Sequence, residues 1–310
     1  MEKLLVTSNL NPDLDGYACS VGYAEYLKLS GKKADPVLLG EIDDETTYVL
    51  NLTSESAIPQ FNGDLKGKGE LILVDTTSAE SLKTELDPKQ VVEIVDHRRL
   101  NDAYLMPWAK KQIELVGSCA TLIVEKFITD KLPIKKETAH LLYGAIVSNT
   151  INFKNQITTV RDKNAAKHLL KEIEIAEDFA EKMFRARTNI KGDNLSRYLH
   201  KDYVELQICG RKLTVFQMEI VETDQLIKER LSEIISIAKF IIKDKELDYC
   251  FINIIDTLKA YNYIITLDET TENMLGKILN LKFQNNFAKT DIIIMRKEIM
   301  PKIKEYLDYE

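Results

Sequence analysis

The sequence predicts an α/β protein. An N-terminal doubly wound parallel sheet flanked by helices precedes a smaller C-terminal α/β domain with a mixed sheet. Three observations carry this reading. Gly69–Thr76 (GELILVDT) and Val91–His97 (VVEIVDH) are continuous apolar runs without alternation, as strands covered on both faces must be. Segments 118–130 and 136–148 place their apolar residues at helical spacing. Beyond residue 195 the period becomes two: Val204, Leu206 and Ile208 interleave with Tyr203, Glu205 and Gln207, and Gly210 turns that strand into Lys212–Ile220, a hairpin signature.

In chain order, Leu4, Leu5 and Val6 form a short buried strand. Asn9, Asn11, Pro12, Asp13, Asp15 and Gly16 follow as a turn rich in oxygen ligands, and a helix runs from Tyr17 until Gly31 stops it. Strand, acidic turn and helix in that order deliver carboxylates to the carboxyl edge of a sheet, where α/β proteins bind ligands. Pro36–Leu39 and Thr46–Leu52 are expected as further strands, and helices are expected around Arg161–Leu170 and Ile175–Arg187. Thr188–Leu195 (TNIKGDNL) loses periodicity and carries Gly192, which sets a linker at 188–195 between domains at 1–187 and 196–310. After the hairpin come a long helix at Thr223–Ile242, strands at Asp248–Ile255 and Tyr261–Leu267, and a helix near Glu272–Leu281. An apolar strand at Asp291–Met295, ending at Arg296 and Lys297, closes the pattern.

A chain of 310 residues has room for two domains of ordinary size. Its 45% hydrophobic and 29% charged residues are those of a soluble globular protein. A net charge of −7 argues against a protein that grips nucleic acid through bulk charge. No apolar run reaches bilayer length and the N-terminus opens directly on a strand, so a cytoplasmic location is expected. Cys19, Cys119, Cys209 and Cys250 have no Cys-x-x-Cys spacing, which points to buried thiols rather than a zinc site or a disulfide framework.

The chemistry concentrates in the N-terminal half. Asp13 and Asp15, Asp75, and Asp96 with His97 each stand just past an apolar strand, and the helix at 136–148 runs into Asn149. Two Asp one residue apart share a site at neutral pH only when a cation neutralises them. Equally, Asn11, Asp13 and Asp15 are the residue types of turns and helix caps. Hard oxygen ligands with one imidazole suit Mg²⁺ or Mn²⁺ far better than zinc. A carboxylate bridging two such ions, roughly 3.5–4 Å apart, is how two-metal phosphoryl chemistry is built.

Five segments in order (NPDLDGYACS, LVDTT, EIVDHRR, GSCAT with LLYGAIVSNT, and MRKEIMP) resemble the motifs of the DHH phosphoesterases. Within that family the likeness is to the branch of family II inorganic pyrophosphatases, exopolyphosphatases and Prune-like proteins. It implies a metal-dependent hydrolase of phosphoanhydride bonds, in which metal-activated water attacks pyrophosphate or short polyphosphate in an interdomain cleft. Asn9, Asp13 and Asp75 would hold one Mg²⁺ or Mn²⁺, and Asp15, Asp75, His97 and Asn149 a second. Asp96 would orient His97 through its other ring nitrogen. Arg98, Arg296 and Lys297, with Lys201, would bind the phosphates, Arg98 also neutralising the leaving group. A small anionic substrate, no nucleic acid or membrane partner, and homodimer formation complete what the resemblance implies.

This chain departs from the family pattern at several positions. Asn9 and Arg98 stand where pyrophosphatases of the family carry His, and Asn149 where they carry Asp. Thr76 replaces a common His, and Val204 a substrate-binding Lys. With Asn149 neutral, only Asp13, Asp15 and Asp75 bring charge to the ions, so the second ion is expected to bind weakly or to arrive with substrate. These changes leave open an alternative: an impaired homologue that binds phosphate compounds or a protein partner. Arg296 and Lys297 also set the chain apart from the nucleases and cyclic-dinucleotide phosphodiesterases of the wider superfamily.

Overall fold

The computed structural model describes residues 3–53, 56–61, 63–77, 86–99, 101–190, 192 and 194–308. The chain divides into two compact units. One takes in the chain up to Phe153 and Ile157–Met183, and the other Lys154–Gln156 and the chain from Phe184 onward.

The first unit is a five-stranded parallel sheet, ordered β2-β1-β3-β4-β5. Its strands are β1 (Leu4–Thr7), β2 (Ala34–Pro36), β3 (Glu70–Val74), β4 (Val91–Asp96) and β5 (Lys110–Ile113). Its helices are α1 (Leu14–Leu29), α2 (Asp44–Leu50), α3 (Cys119–Asp130), α4 (Lys136–Asn149) and α5 (Val160–Leu169), and α6 (Phe179–Arg187) runs across the division. Leu71, Ile72, Leu73 and Val74 are all buried, which is why β3 shows no alternation. One sheet face packs under α1 and α3. On the other, Leu5, Leu71, Leu73 and Ile94 meet Leu39, Leu65, Leu86 and Met106 from connecting segments. α1 is buried along most of its length, and its Gly22 lets Leu142 of α4 approach closely, an added Cβ meeting it at 3.1 Å. Thr7 pairs with Leu73, and Val74 with Val95, so the carboxyl ends of β1, β3 and β4 finish side by side. That alignment brings their trailing residues to one place.

Two expectations for this unit are corrected. Thr46–Leu52 is not a strand: Asp44–Leu50 is α2, capped by Asp43, whose carboxylate accepts the Thr46 N–H at 2.8 Å. The cap, with Asp44 and Glu45 in the first turn, outweighs the strand preference of Thr, Tyr and Val. Replacing Asp43 by Ala should cost about 1 kcal/mol of stability, read as a lower denaturant midpoint with an unchanged slope. β2 pairs over Ala34–Pro36 rather than Pro36–Leu39, and its proline is tolerated because this is an edge strand. β5, at the other edge, has the sequence KKQI with both lysines exposed, so it carries no apolar signal.

The second unit holds a mixed sheet, ordered β10-β9-β8-β7-β6. Its strands are β6 (Tyr203–Ile208), β7 (Arg211–Ile220), β8 (Tyr249–Asp256), β9 (Tyr261–Thr266) and β10 (Phe287–Lys289). Only β7 and β8 pair in parallel. α7 (Asn194–Lys201) and α8 (Thr223–Ile242) cover one face, and α9 (Glu269–Leu279) and α10 (Arg296–Asp308) the other. α7 starts inside the stretch read as linker, because Leu195 and Leu199 are buried against the sheet. Asp291–Met295 is not a strand. It is irregular backbone leading into α10, whose Ile299, Ile303 and Leu307 bury at helical spacing, and Pro301 masks that helix in the sequence.

Among the described residues, no helix is long and apolar enough to cross a membrane. Cys19, Cys119 and Cys250 are buried free thiols. Cys209, expected to be buried, is exposed at a turn.

Candidate metal centre

The ends of β1, β3 and β4 and the starts of α1 and α3 converge on one group of ligand atoms. Asp15, Asp75 and His97 each offer one, all within 4.8 Å of one another and all buried. Asp75 leaves β3 in the left-handed backbone region at φ 52°, one that Asp and Asn enter more readily than most residues. Its Oδ1 lies 3.3 Å from His97 Nε2.

The ring of His97 is set by its other nitrogen. Nδ1 lies 2.9 Å from the Val116 carbonyl oxygen, which can only accept, so Nδ1 carries a proton and Nε2 is the ring nitrogen turned toward Asp75. This corrects the expectation for Asp96. The Asp96 carboxylate turns back onto the main chain, where Oδ1 accepts the His97 backbone N–H at 2.7 Å, and the ring nitrogen is met by the Val116 carbonyl instead. Burial and Asp75 raise the Asp96 pKa, which Arg98 opposes.

Asp15 is fixed from several sides. Oδ1 accepts from Ser118 Oγ and Ala120 N, each at 2.9 Å, and Oδ2 from Cys119 N at 2.9 Å. The amide of Asn149, at the end of α4, also donates to Asp15 Oδ2. Desolvation first, and then the Asp75 charge, push the Asp15 carboxyl up to about 6, although His97 and the α3 amides pull it down. Three buried groups with oxygen and imidazole donors fit a hard divalent cation that would neutralise the two carboxylates.

Asp13 stands beside this group and is not among its three members. Asp13 caps α1, its Oδ1 accepting from Gly16 N at 3.0 Å. Its carboxyl rises to about 7 through desolvation, Asp75 and Asp15, in that order. Asn9 Oδ1 accepts the Thr76 hydroxyl at 2.5 Å, so two of the residues that depart from the family pattern are partners of each other. Arg98 Nη2 sits 3.4 Å from Asp75 Oδ2.

Residues that the sequence reading passed over hold the centre together. The Asp162 carboxylate, fully buried, accepts from Gly117 N, Ser118 N and Thr121 Oγ1, and thereby pins the segment whose Val116 carbonyl orients His97. A Cβ at Gly117 would meet Thr150 at 2.7 Å and Asp162 at 2.9 Å, so only glycine fits there. The signal was present in part, since Thr159-x-x-Asp162 is a capping box at the start of α5.

The basic candidates of the second unit are placed separately. Arg296 and Lys297 open α10, and Arg296 Nη1 pairs with Asp202 Oδ1 at 2.7 Å. Their approach is held by buried amides: Asn253 and Asn262 donate to the Ile294 carbonyl, and Gln217 Oε1 accepts the Arg296 N–H at 2.8 Å. Lys201 ends α7, and its side chain lies outside the described residues.

The fold is that of a known class. The DHH family, N-terminal domain, matches residues 3–146, and the DHHA2 domain matches residues 181–306. The chain belongs to the DHH family, with a DHHA2 domain in its second half. A Bacillus mycoides protein assigned as a manganese-dependent inorganic pyrophosphatase is 28% identical over 98% of this chain and 99% of its own length. A Bacillus cereus protein with the same assignment is 27% identical over the same shares. In fold, the chain matches the crystal structure of a Methanococcus jannaschii protein assigned to the family II inorganic pyrophosphatases. The TM-score is 0.80 at 24% identity, covering 98% of this chain and 99% of that one.

Proposed function

We propose that this chain is a metal-dependent hydrolase of phosphoanhydride bonds, acting on inorganic pyrophosphate or short polyphosphate. The observation that carries the reading is the buried Asp15–Asp75–His97 group, at the carboxyl edge of the parallel sheet where α/β folds bind ligands. The named activity of the full-length Bacillus relatives supports pyrophosphate as a substrate and Mn²⁺ as the ion, with Mg²⁺ an alternative for the same oxygen-rich donors.

A divalent ion bound there supplies Lewis acidity and a strong nucleophile near neutral pH. The protein's own groups do the rest. The Val116 carbonyl holds the His97 ring through Nδ1, so that Nε2 would be the nitrogen to hold an ion. The α3 amides and Ser118 hold Asp15, and Asp75 adds its charge from the end of β3. Arg98, half-exposed beside Asp75, offers guanidinium N–H groups to a phosphate as negative charge builds on the departing oxygen. Arg296, Lys297 and Lys201 are proposed as further phosphate-binding cations, Asp13 and Asn9 as outer groups of the centre. The neutral amide of Asn149 donates to Asp15 and leaves the three-residue cage intact, so the reading as an impaired homologue is not favoured.

Purified protein saturated with Mn²⁺ or Mg²⁺ should release phosphate from pyrophosphate, tripolyphosphate or both, and lose that activity with a chelator. Rates on substrates of increasing length would assign the preferred one. Failure to turn over any of them, with metal bound, would overturn the proposal.

A further inference from the structure

Asp75 divides its two oxygens between different neighbours. Oδ1 faces His97 Nε2 at 3.3 Å, inside the group that can hold an ion. Oδ2 faces Arg98 Nη2 at 3.4 Å. A carboxylate shared between two cations presents one oxygen to each. Here one of those two directions already carries a fixed positive charge.

We propose that the centre takes one divalent cation, between Asp15, Asp75 and His97, and that the Arg98 guanidinium stands on the second oxygen of Asp75 in place of another cation. The inference rests on the metal-dependent reading above and specifies its stoichiometry.

Several observations on the Arg98 side agree. Asn9, the remaining oxygen donor there, is neutral and already accepts the Thr76 hydroxyl. Asp13 spends one oxygen on the N-cap of α1. An ion entering that position would have to displace an arginine from a buried carboxylate. Arginine holds its proton at every pH the protein meets, so this charge is permanent, whereas a bound ion exchanges with solution. A guanidinium also has five N–H donors, so those not aimed at Asp75 remain available to phosphate oxygens.

The test is a titration of the metal-free protein with Mn²⁺ in the absence of substrate. Calorimetry would count the ions, and electron paramagnetic resonance would report any spin coupling between neighbouring ones. Wild-type protein and Arg98→Lys, which keeps the charge, should each bind a single uncoupled Mn²⁺. Arg98→Met, which keeps the length and drops the charge, should bind two, with the coupled signal of a pair. Arg98 sits on a half-exposed loop after β4, so the variants should retain the wild-type circular dichroism. Two ions in the wild-type protein, or one in Arg98→Met, would overturn the inference while leaving the hydrolase reading in place if phosphate is still released. A wild-type chain that binds no Mn²⁺ would overturn both.

Discussion

Replacing Asp75 by Asn is expected to deprive the protein of its divalent cation and, at the same time, to make the metal-free chain harder to unfold. Asn enters the left-handed backbone region at least as readily as Asp, so the φ of 52° at this position adds no strain to the variant. The shape is kept and only the charge is lost. Asp75 raises the pKa of Asp13, Asp15 and Asp96 alike, which means that its negative charge works against all three in the absence of an ion. Removing it relieves that repulsion, although Arg98 loses its partner, and the half-exposed guanidinium can turn to water. Groups that merely orient a metal ligand are worth about 10–100-fold in affinity, so loss of a charged ligand should exceed about 100-fold. Calorimetry with Mn²⁺ should show that loss and phosphate release should fall with it, while the melting temperature measured in chelator rises by a few degrees. Asp75→Ala would be a poorer probe, since it combines loss of charge with a strained backbone.

The second large effect concerns pH. In the metal-free protein, Asp15 has its pKa raised from 3.8 to about 6. The folded chain therefore holds a proton that the unfolded chain has released, and the sign follows directly. This contribution to stability is fully present below about pH 4 and is lost as the pH climbs through about 6. Mn²⁺ reverses the slope, because the ion binds the deprotonated carboxylate and competes with the proton at low pH. Thermal melts in chelator should fall from about pH 5 to about pH 7.5, whereas melts in excess Mn²⁺ should hold or rise over that window. An ion at about 100 times its Kd contributes about 2.7 kcal/mol, so the two curves should separate visibly at the upper end. Parallel curves would mean that Asp15 does not meet the ion.

Much of this centre was legible before any coordinates. Asp15, Asp75 and His97 each follow a buried strand or open a helix, and parallel strands must end together, so their convergence follows from β-strand burial. What could not be read was the orientation of side chains. Nothing in the run VVEIVDH says that Asp96 bends back to its own chain and leaves the ring of His97 to a backbone carbonyl on another loop. Backbone groups have no sequence signature, and Asp162 acts through them from another helix. The fold errors have a similar cause. TTYVL favours a strand by composition, yet the cap at Asp43 precedes it, and the apolar run before Arg296 is held by buried asparagines rather than by a strand neighbour. Local propensity was overridden by a specific partner each time.

The start of α3 has one more consequence. Phosphates commonly settle on the free N–H groups of a helix N-terminus. Here those groups are taken: Gly117 and Ser118 donate to Asp162, and Cys119 and Ala120 to Asp15. The protein has turned a ready anion receptor inward, to grip its own acids. A polyanion arriving at this edge finds no main-chain cradle at α3, and its charge must be met by side-chain cations and by the ion those acids retain.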